Sequence, residues 1–266
     1  MSIAFIGGTG LYRLPGLELE CYEVTTRWGT VALRRGAWHG QEVLFLARHG
    51  EDHGVPPHAI DYRANLAALK AAGAHAVVAT SAVGSLTPHL PPGTLALLTD
   101  FIDQTSGRAR TFFDTEVVHL DSSVPYCPGL RAALTAAAQA CWVELHPGAV
   151  YLCTNGPRFE TPAEIHTYAR WGAELVGMTN VPEVVLAREL ELCYAAVAVV
   201  TNFAAGMAGK PLTHGEVETM MADRLADLGR LLETLTTQEI PTGCACGHAL
   251  AEYRARRGEA EFGVAL

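Results

Sequence analysis

The chain has 266 residues, 49% hydrophobic and 18% charged, a balance that supports a large buried core and excludes extended disorder. Its formal net charge of -9 argues against non-specific nucleic-acid binding, which needs basic surface to displace counterions, yet allows a local pocket for an anion. No apolar run reaches the roughly 18 residues of a membrane span, and Met1–Ile6 lacks the charged lead-in of a secretory leader. Seven cysteines, mostly inside apolar segments, read as reduced thiols of a cytoplasmic protein.

In chain order, residues 1–6 read as a buried strand that ends in a glycine turn. Strands follow near 31–34 and 42–47, the second running into Arg48-His49-Gly50. Residues 57–72 carry a helix opened by Pro56-Pro57 and stopped at Gly73. A short buried strand at 76–79 leads into a loop, Thr80 to Ser85, and 95–99 is another strand. Residues 100–127 have no periodicity, which in a compact domain marks a functional segment or a subunit contact. Helix 128–141, strand 148–153, helix 162–171, strand 174–178, helix 182–191 and strand 193–201 then alternate, and a helix over 215–235 follows. That alternation predicts an α/β fold, one domain over 1–240 with a largely parallel sheet covered by helices. Residues 241–266 read as an extension of unassigned role, turn-rich to Gly247 and with a short basic helix at 253–257.

Polar groups cluster just past the strand ends, where open α/β sheets assemble ligand sites. Gly7-Gly8-Thr9-Gly10 reads equally as a tight turn and as an anion cradle. It is not a dinucleotide fingerprint, because the third glycine position is Arg13, and no Walker lysine follows. Arg48 and His49 add a forked cation and a titratable donor suited to an oxyanion; the plain alternative is a surface salt bridge. Ser81, Ala82 and Thr179 are small donors that would otherwise serve only capping or turn duty. Phe159 beside Glu160 offers stacking area and an acceptor for a ring N–H; otherwise Phe159 is core and Glu160 favours the start of the next helix. Asn202 needs partners, from a local turn or from a ligand. His49 and His53 lack the setting of a zinc helix. Cys244, Cys246 and His248 lack the usual spacing and a visible fourth ligand, so a surface turn is expected there rather than a metal.

Together the motifs Gly7 to Leu11, Ala47 to Gly50, Asp61 to Asn65, Gly156 to Thr161 and Met178 to Glu183 resemble the trimeric purine nucleoside phosphorylases, the branch that includes methylthioadenosine and methylthioinosine phosphorylases. The resemblance covers Met1 to about Leu235. It implies a partly barrel-like mixed sheet flanked by helices and reversible phosphorolysis of a nucleoside, with inorganic phosphate as co-substrate and no cofactor or metal. On that resemblance Thr9, Arg48, His49, Ser81, Ala82 and Thr179 hold the phosphate, Met178 lies against the ribose, Phe159 against the base, and Asn202, Phe203 and Ala204 form the base-recognition segment. Relatives that take adenine carry aspartate where this chain has Asn202, so Asn202 with Glu160 implies a 6-oxopurine such as inosine or guanosine. His214 falls where relatives using ordinary ribonucleosides bond the 5′-hydroxyl; methylthioinosine is the alternative substrate, and a helix-capping role is the plain alternative for this histidine. His119 falls in the region that family trimers lend to a neighbour's site, which implies a homotrimer or a dimer of trimers. A non-catalytic nucleoside-binding protein would keep the same pocket, and an NAD-linked oxidoreductase is disfavoured by the glycine pattern.

Overall fold

β1 (Ser2–Gly7) is buried along its whole length, because both of its faces are covered. Ala4 and Ile6 point into one core and Ile3 and Phe5 into another. The same parity runs through β9 (Cys193–Phe203): Tyr194, Ala196, Ala198 and Val200 enter the first core, and Cys193, Ala195, Val197 and Val199 the second. Strands buried on two sides read as continuous apolar runs, and this is why they were legible as strands. The computed structural model describes residues 2–14, 16–50, 52–207, 213–240, 242–258 and 263–266, with the side chain of His214 excepted.

The first core lies under α1 (Tyr62–Ala71) and α4 (Asn180–Glu189), and the second under α2 (Pro128–Ala140) and α5 (His214–Leu235). Between them runs a nine-stranded mixed sheet in the order β2-β3-β4-β1-β5-β8-β7-β6-β9. Its remaining strands are β2 (Glu20–Thr26), β3 (Gly29–Trp38), β4 (Gln41–Ala47), β5 (Ala74–Ser85), β6 (Leu95–Asp103), β7 (His146–Cys153) and β8 (Leu175–Gly177). β5 is the pivot. Its first half pairs with β1, its last residues with β8, and nearly its whole opposite edge with β9. The β5–β9 pairing closes β5, β8, β7, β6 and β9 into a ring, the partial barrel that the resemblance implied. Beyond β1, the antiparallel arm β4-β3-β2 extends the sheet.

Two expectations around the site are corrected, and one strand was not foreseen. Thr80 to Ser85 is not a loop: Thr80 pairs with Val197 and Ser85 with Phe203, so β5 continues to the site. Its small residues fit close approach rather than a turn, since a Cβ on Gly84 would stand 3.2 Å from Asn202 Nδ2. The helix expected over 57–72 begins as a 3-10 turn, Pro57–Ala59, and α1 starts only at Tyr62, where the Asp61 carboxylate accepts from the Ala64 amide at 2.9 Å. β2 escaped notice because its exposed side is polar and its sequence, Glu-Cys-Tyr-Glu-Val-Thr-Thr, has few apolar positions.

The segment without regular structure, expected over 100–127, is confined to 104–127, because β6 runs on to Asp103 and pairs there with β7. It is tied down by side chains, including Glu189, whose oxygens accept from the Thr111 hydroxyl and the Phe112 amide at 2.7 Å. α3 (Pro162–Arg170) packs a satellite cluster of Leu86, Leu152, Ile165, Tyr168, Ala173, Val176 and Ala204. The tail carries α6 (Ala251–Arg257) and is clasped to the body by Glu191, which accepts from the Leu250 amide at 3.0 Å and from Arg254. Among the described residues no helix is long and apolar enough to cross a membrane.

Candidate active site

The strand ends meet at one cavity of about 590 Å³. Every phosphate-site residue expected from the sequence lines it: Thr9, Arg48, His49, Ser81, Ala82 and Thr179. So do Phe159, Glu160, Met178, Asn202 and Ala204 from the expected base and sugar sites. Phe203 is not among the lining residues; it contributes its carbonyl oxygen, which accepts from Asn202 Nδ2 at 2.9 Å. His119 lies elsewhere, exposed in a surface cleft with Val117, Leu120 and Arg188, where its backbone is paired with the Tyr253 hydroxyl. The side chain of His214 lies outside the described residues, although its backbone opens α5 and Val217, one turn on, reaches the cavity.

At the polar end the glycine turn brings backbone against backbone. A Cβ on Gly8 would stand 2.6 Å from the Thr80 carbonyl oxygen, and the Gly8 amide donates to Thr80 Oγ1 at 3.1 Å. Arg48 is no idle cation. Its Nε and Nη2 donate to the two oxygens of Glu183, each at 2.7 Å, and Nη1 donates to the Thr80 carbonyl at 2.8 Å. Both side chains of this pair are fully buried. Glu183 also accepts from the Tyr194 hydroxyl at 2.7 Å. Glu183 closes the Met178 to Glu183 motif but carried no expected role; its signal in the sequence is a carboxylate in the first turn of a helix beside a strand end.

A second chain of bonds sets the hydroxyls. Tyr126 donates to Asn180 Oδ1 at 3.1 Å, which orients the amide so that Nδ2 donates to Ser81 Oγ at 3.1 Å. With an acceptor site of Ser81 occupied, its proton is directed toward Thr179 Oγ1, 3.3 Å away, or toward a ligand oxygen. His49 is buried, and this, with the Arg48 charge beside it, lowers its pKa to about 4. The ring is therefore neutral at pH 7. Its Nδ1 lies 2.8 Å from the Val55 carbonyl oxygen, an acceptor only, so the proton sits on Nδ1 and Nε2 carries a lone pair.

At the other end Glu160 accepts from the Thr154 hydroxyl at 2.7 Å, and burial raises its pKa. Glu160 does not cap the next helix. Thr161 and Glu164 form the capping box of α3, and Arg158 donates to both oxygens of Glu164, at 2.8 and 2.7 Å. The Glu160 carboxylate thus keeps an oxygen for the cavity. Asn202 accepts from the Thr201 hydroxyl at 2.9 Å and spends one amide hydrogen on Phe203; the second hydrogen is left for a ligand. Phe159 is 39% exposed, a large ring open on one face. Met178 packs against Gly156, where a Cβ would stand 2.4 Å from the sulfur.

Arg108 was missed altogether. It sits in the irregular segment, stacked on Tyr62 at 5.2 Å, and donates to the carbonyls of Val181 at 2.6 Å, Met178 at 2.8 Å and Asn155 at 3.1 Å. One guanidinium therefore binds together the backbones of two site segments.

The chain matches the model of the "Phosphorylase superfamily" over residues 2–237. A "Probable 6-oxopurine nucleoside phosphorylase" of Dictyoglomus turgidum is 49% identical over 96% of this chain and 98% of its own length. The "6-oxopurine nucleoside phosphorylase" of Pyrococcus furiosus is 46% identical over 93% and 97%. A "Probable S-methyl-5'-thioinosine phosphorylase" of Methanothermobacter thermautotrophicus is 41% identical over 93% and 88%. Among solved structures, a methylthioadenosine phosphorylase from an antarctic soil metagenomic library superposes with TM-score 0.88 at 33% identity, covering 94% of this chain and 91% of that one. The methylthioadenosine phosphorylase of Schistosoma mansoni in complex with adenine gives TM-score 0.86 at 30% identity, covering 89% and 91%. The ring of strands, the cavity at their ends and these likenesses agree: the chain belongs to the phosphorylase superfamily.

Proposed function

We propose that this chain catalyses the reversible phosphorolysis of 6-oxopurine nucleosides such as inosine and guanosine, giving the free base and ribose 1-phosphate. One observation carries the reading. A single cavity joins an oxyanion end, made by Arg48, Ser81 and Thr179, to a base end in which Glu160 keeps an acceptor and Asn202 keeps a donor.

The chemistry follows from charge. Breaking the glycosidic bond builds positive charge on the sugar and negative charge on the departing base. Phosphate held under the sugar by Ser81, Thr179 and the edge of Arg48 stabilises the first. At the other end Asn202 donates to O6 or N7 while Glu160 accepts from N1–H, present in the 6-oxo tautomer. Preorganised donors of this kind usually supply the largest share of catalysis. The lone pair on His49 Nε2 accepts a hydrogen bond from the phosphate's own hydroxyl, so a neutral histidine suffices at pH 7. Phosphate is a co-substrate, and the reaction as written uses no other cofactor.

S-methyl-5'-thioinosine is the second reading, favoured by Val217, an apolar side chain that α5 adds to the cavity wall. We infer a homotrimer or a pair of trimers in which the exposed His119 serves a neighbouring copy, since it does not line its own chain's cavity. Phosphate-dependent release of hypoxanthine from inosine by the purified protein tests the activity. Release from adenosine with inosine untouched would overturn the base assignment, and binding of inosine without turnover would leave only a binding protein.

A further inference from the structure

Four cysteines from three distant parts of the chain converge away from the cavity: Cys127, Cys193, Cys244 and Cys246, with all four sulfurs within 4.8 Å of one another. Cys127 caps the start of α2, Cys193 begins β9, and the last two flank Ala245 at the start of the tail. The tail at Cys244 to His248 is therefore not the isolated surface turn expected, since Cys246 is buried against the body; His248 is exposed and stands apart from the cluster. The fourth ligand that the local spacing lacked comes from elsewhere in the fold.

From this geometry we propose that the four thiolates bind one zinc ion that fastens the C-terminal tail to the body of the protein. Zinc at about 2.3 Å from each sulfur sets tetrahedral edges of about 3.8 Å. Cys127 and Cys244 already stand 3.8 Å apart, while Cys193 and Cys244 are closer, at 3.0 Å. That shorter separation still exceeds the roughly 2.05 Å of a disulfide, and it opens by under about 1 Å to admit the ion. Zinc with four thiolates carries two excess negative charges, and the surroundings oppose them. The Leu130 amide, at the positive end of α2, donates to Cys127 Sγ at 3.4 Å, and Arg188 Nη1 donates to Cys246 Sγ at 3.6 Å. Four protein ligands leave no open position for water, so the site is structural. The tail it anchors carries Tyr253, which holds the backbone of His119, and Arg254, which pairs with Glu191.

The test uses the whole protein, produced and purified under reducing conditions with zinc supplied. Elemental analysis should find one zinc per chain, falling to a small fraction in Cys246→Ser. Stripping the metal should lower the melting temperature by on the order of 10 °C. Because the variant can fail to fold, the parent protein is also loaded with cobalt(II), which should give the intense visible bands of a tetrahedral tetrathiolate. Reduced protein that folds normally with all four thiols free to alkylation and no metal bound overturns the proposal. So does an intact mass, from protein kept under the same reducing conditions, that is lighter by the hydrogens of two disulfides.

Discussion

Arg48 and Glu183 meet in a two-pronged ion pair, each contact 2.7 Å, with both side chains fully buried although they stand 135 positions apart in the chain. The carboxylate stabilises a cation withdrawn from water and also fixes its orientation. Arg48 can then present only the N–H groups that Glu183 and the Thr80 carbonyl leave over. The anion site is thus built from a cation already half neutralised. Such a site can hold a phosphate for a reaction and still release it.

Removing one partner strands a buried charge. Glu183→Ala should therefore cost about 3–5 kcal/mol of stability, read by denaturant unfolding with phosphate absent. A loss under about 1 kcal/mol would mean that water or another group replaces the carboxylate easily, and Glu183 would not be what holds Arg48 in place.

His49 makes the pH dependence specific. Its folded-state pKa is lowered to about 4 from 6.5, first by burial and then by the Arg48 charge. Between those values the unfolded chain binds a proton that the folded protein refuses, so stability falls as pH falls through that window. The drop attributable to this group is up to about 3 kcal/mol. Unfolding curves of the parent and of His49→Asn at a series of pH values isolate it, because other groups cancel in the difference. The variant should lose less stability than the parent from neutral pH to about 4; parallel curves would refute the assignment.

Asn202→Asp tests base recognition. The new oxygen would face the Phe203 carbonyl where Nδ2 now donates at 2.9 Å, so the side chain must turn or take up a proton. Either change removes the donor toward O6 and supplies an acceptor for a 6-amino group. The ratio of kcat/KM for inosine over adenosine should fall by about 10²-fold or more, as expected when a built hydrogen-bonding site meets the wrong partner. An unchanged ratio would sink the role given to Asn202.

Legibility in the sequence tracked locality. Arg48, Thr179 and Asn202 were visible because a polar residue at or just past the end of an apolar strand is a short-range pattern, and Ser81 was found although β5 runs past it. Glu183 and Asn180 were not, since their roles depend on side chains brought from other strands. Thr80 to Ser85 misled because small polar residues favour turns locally, while pairing with β9 overrides that preference. The cysteine cluster was invisible for a related reason: two ligands from one tail segment met two that lie 117 and 51 residues away from Cys244.

Arg108 is the strongest case of a residue that acts through others. Its guanidinium holds the carbonyls of Asn155, Met178 and Val181, and so sets the distance between the segment that carries Glu160 and the one that carries Met178. Arg108→Met keeps much of the stem that packs near Tyr62 and deletes the donors. Each lost bond is worth about 0.5–1.5 kcal/mol net, and more where a carbonyl is left buried without a partner. The base end should loosen while the Arg48–Glu183 anchor stays in place. Steady-state kinetics should then give a nucleoside KM raised about 10-fold, with the phosphate KM changed by less than about 2-fold. Equal rises in both constants would point to general unfolding of the site, and no rise in either would remove Arg108 from the machinery.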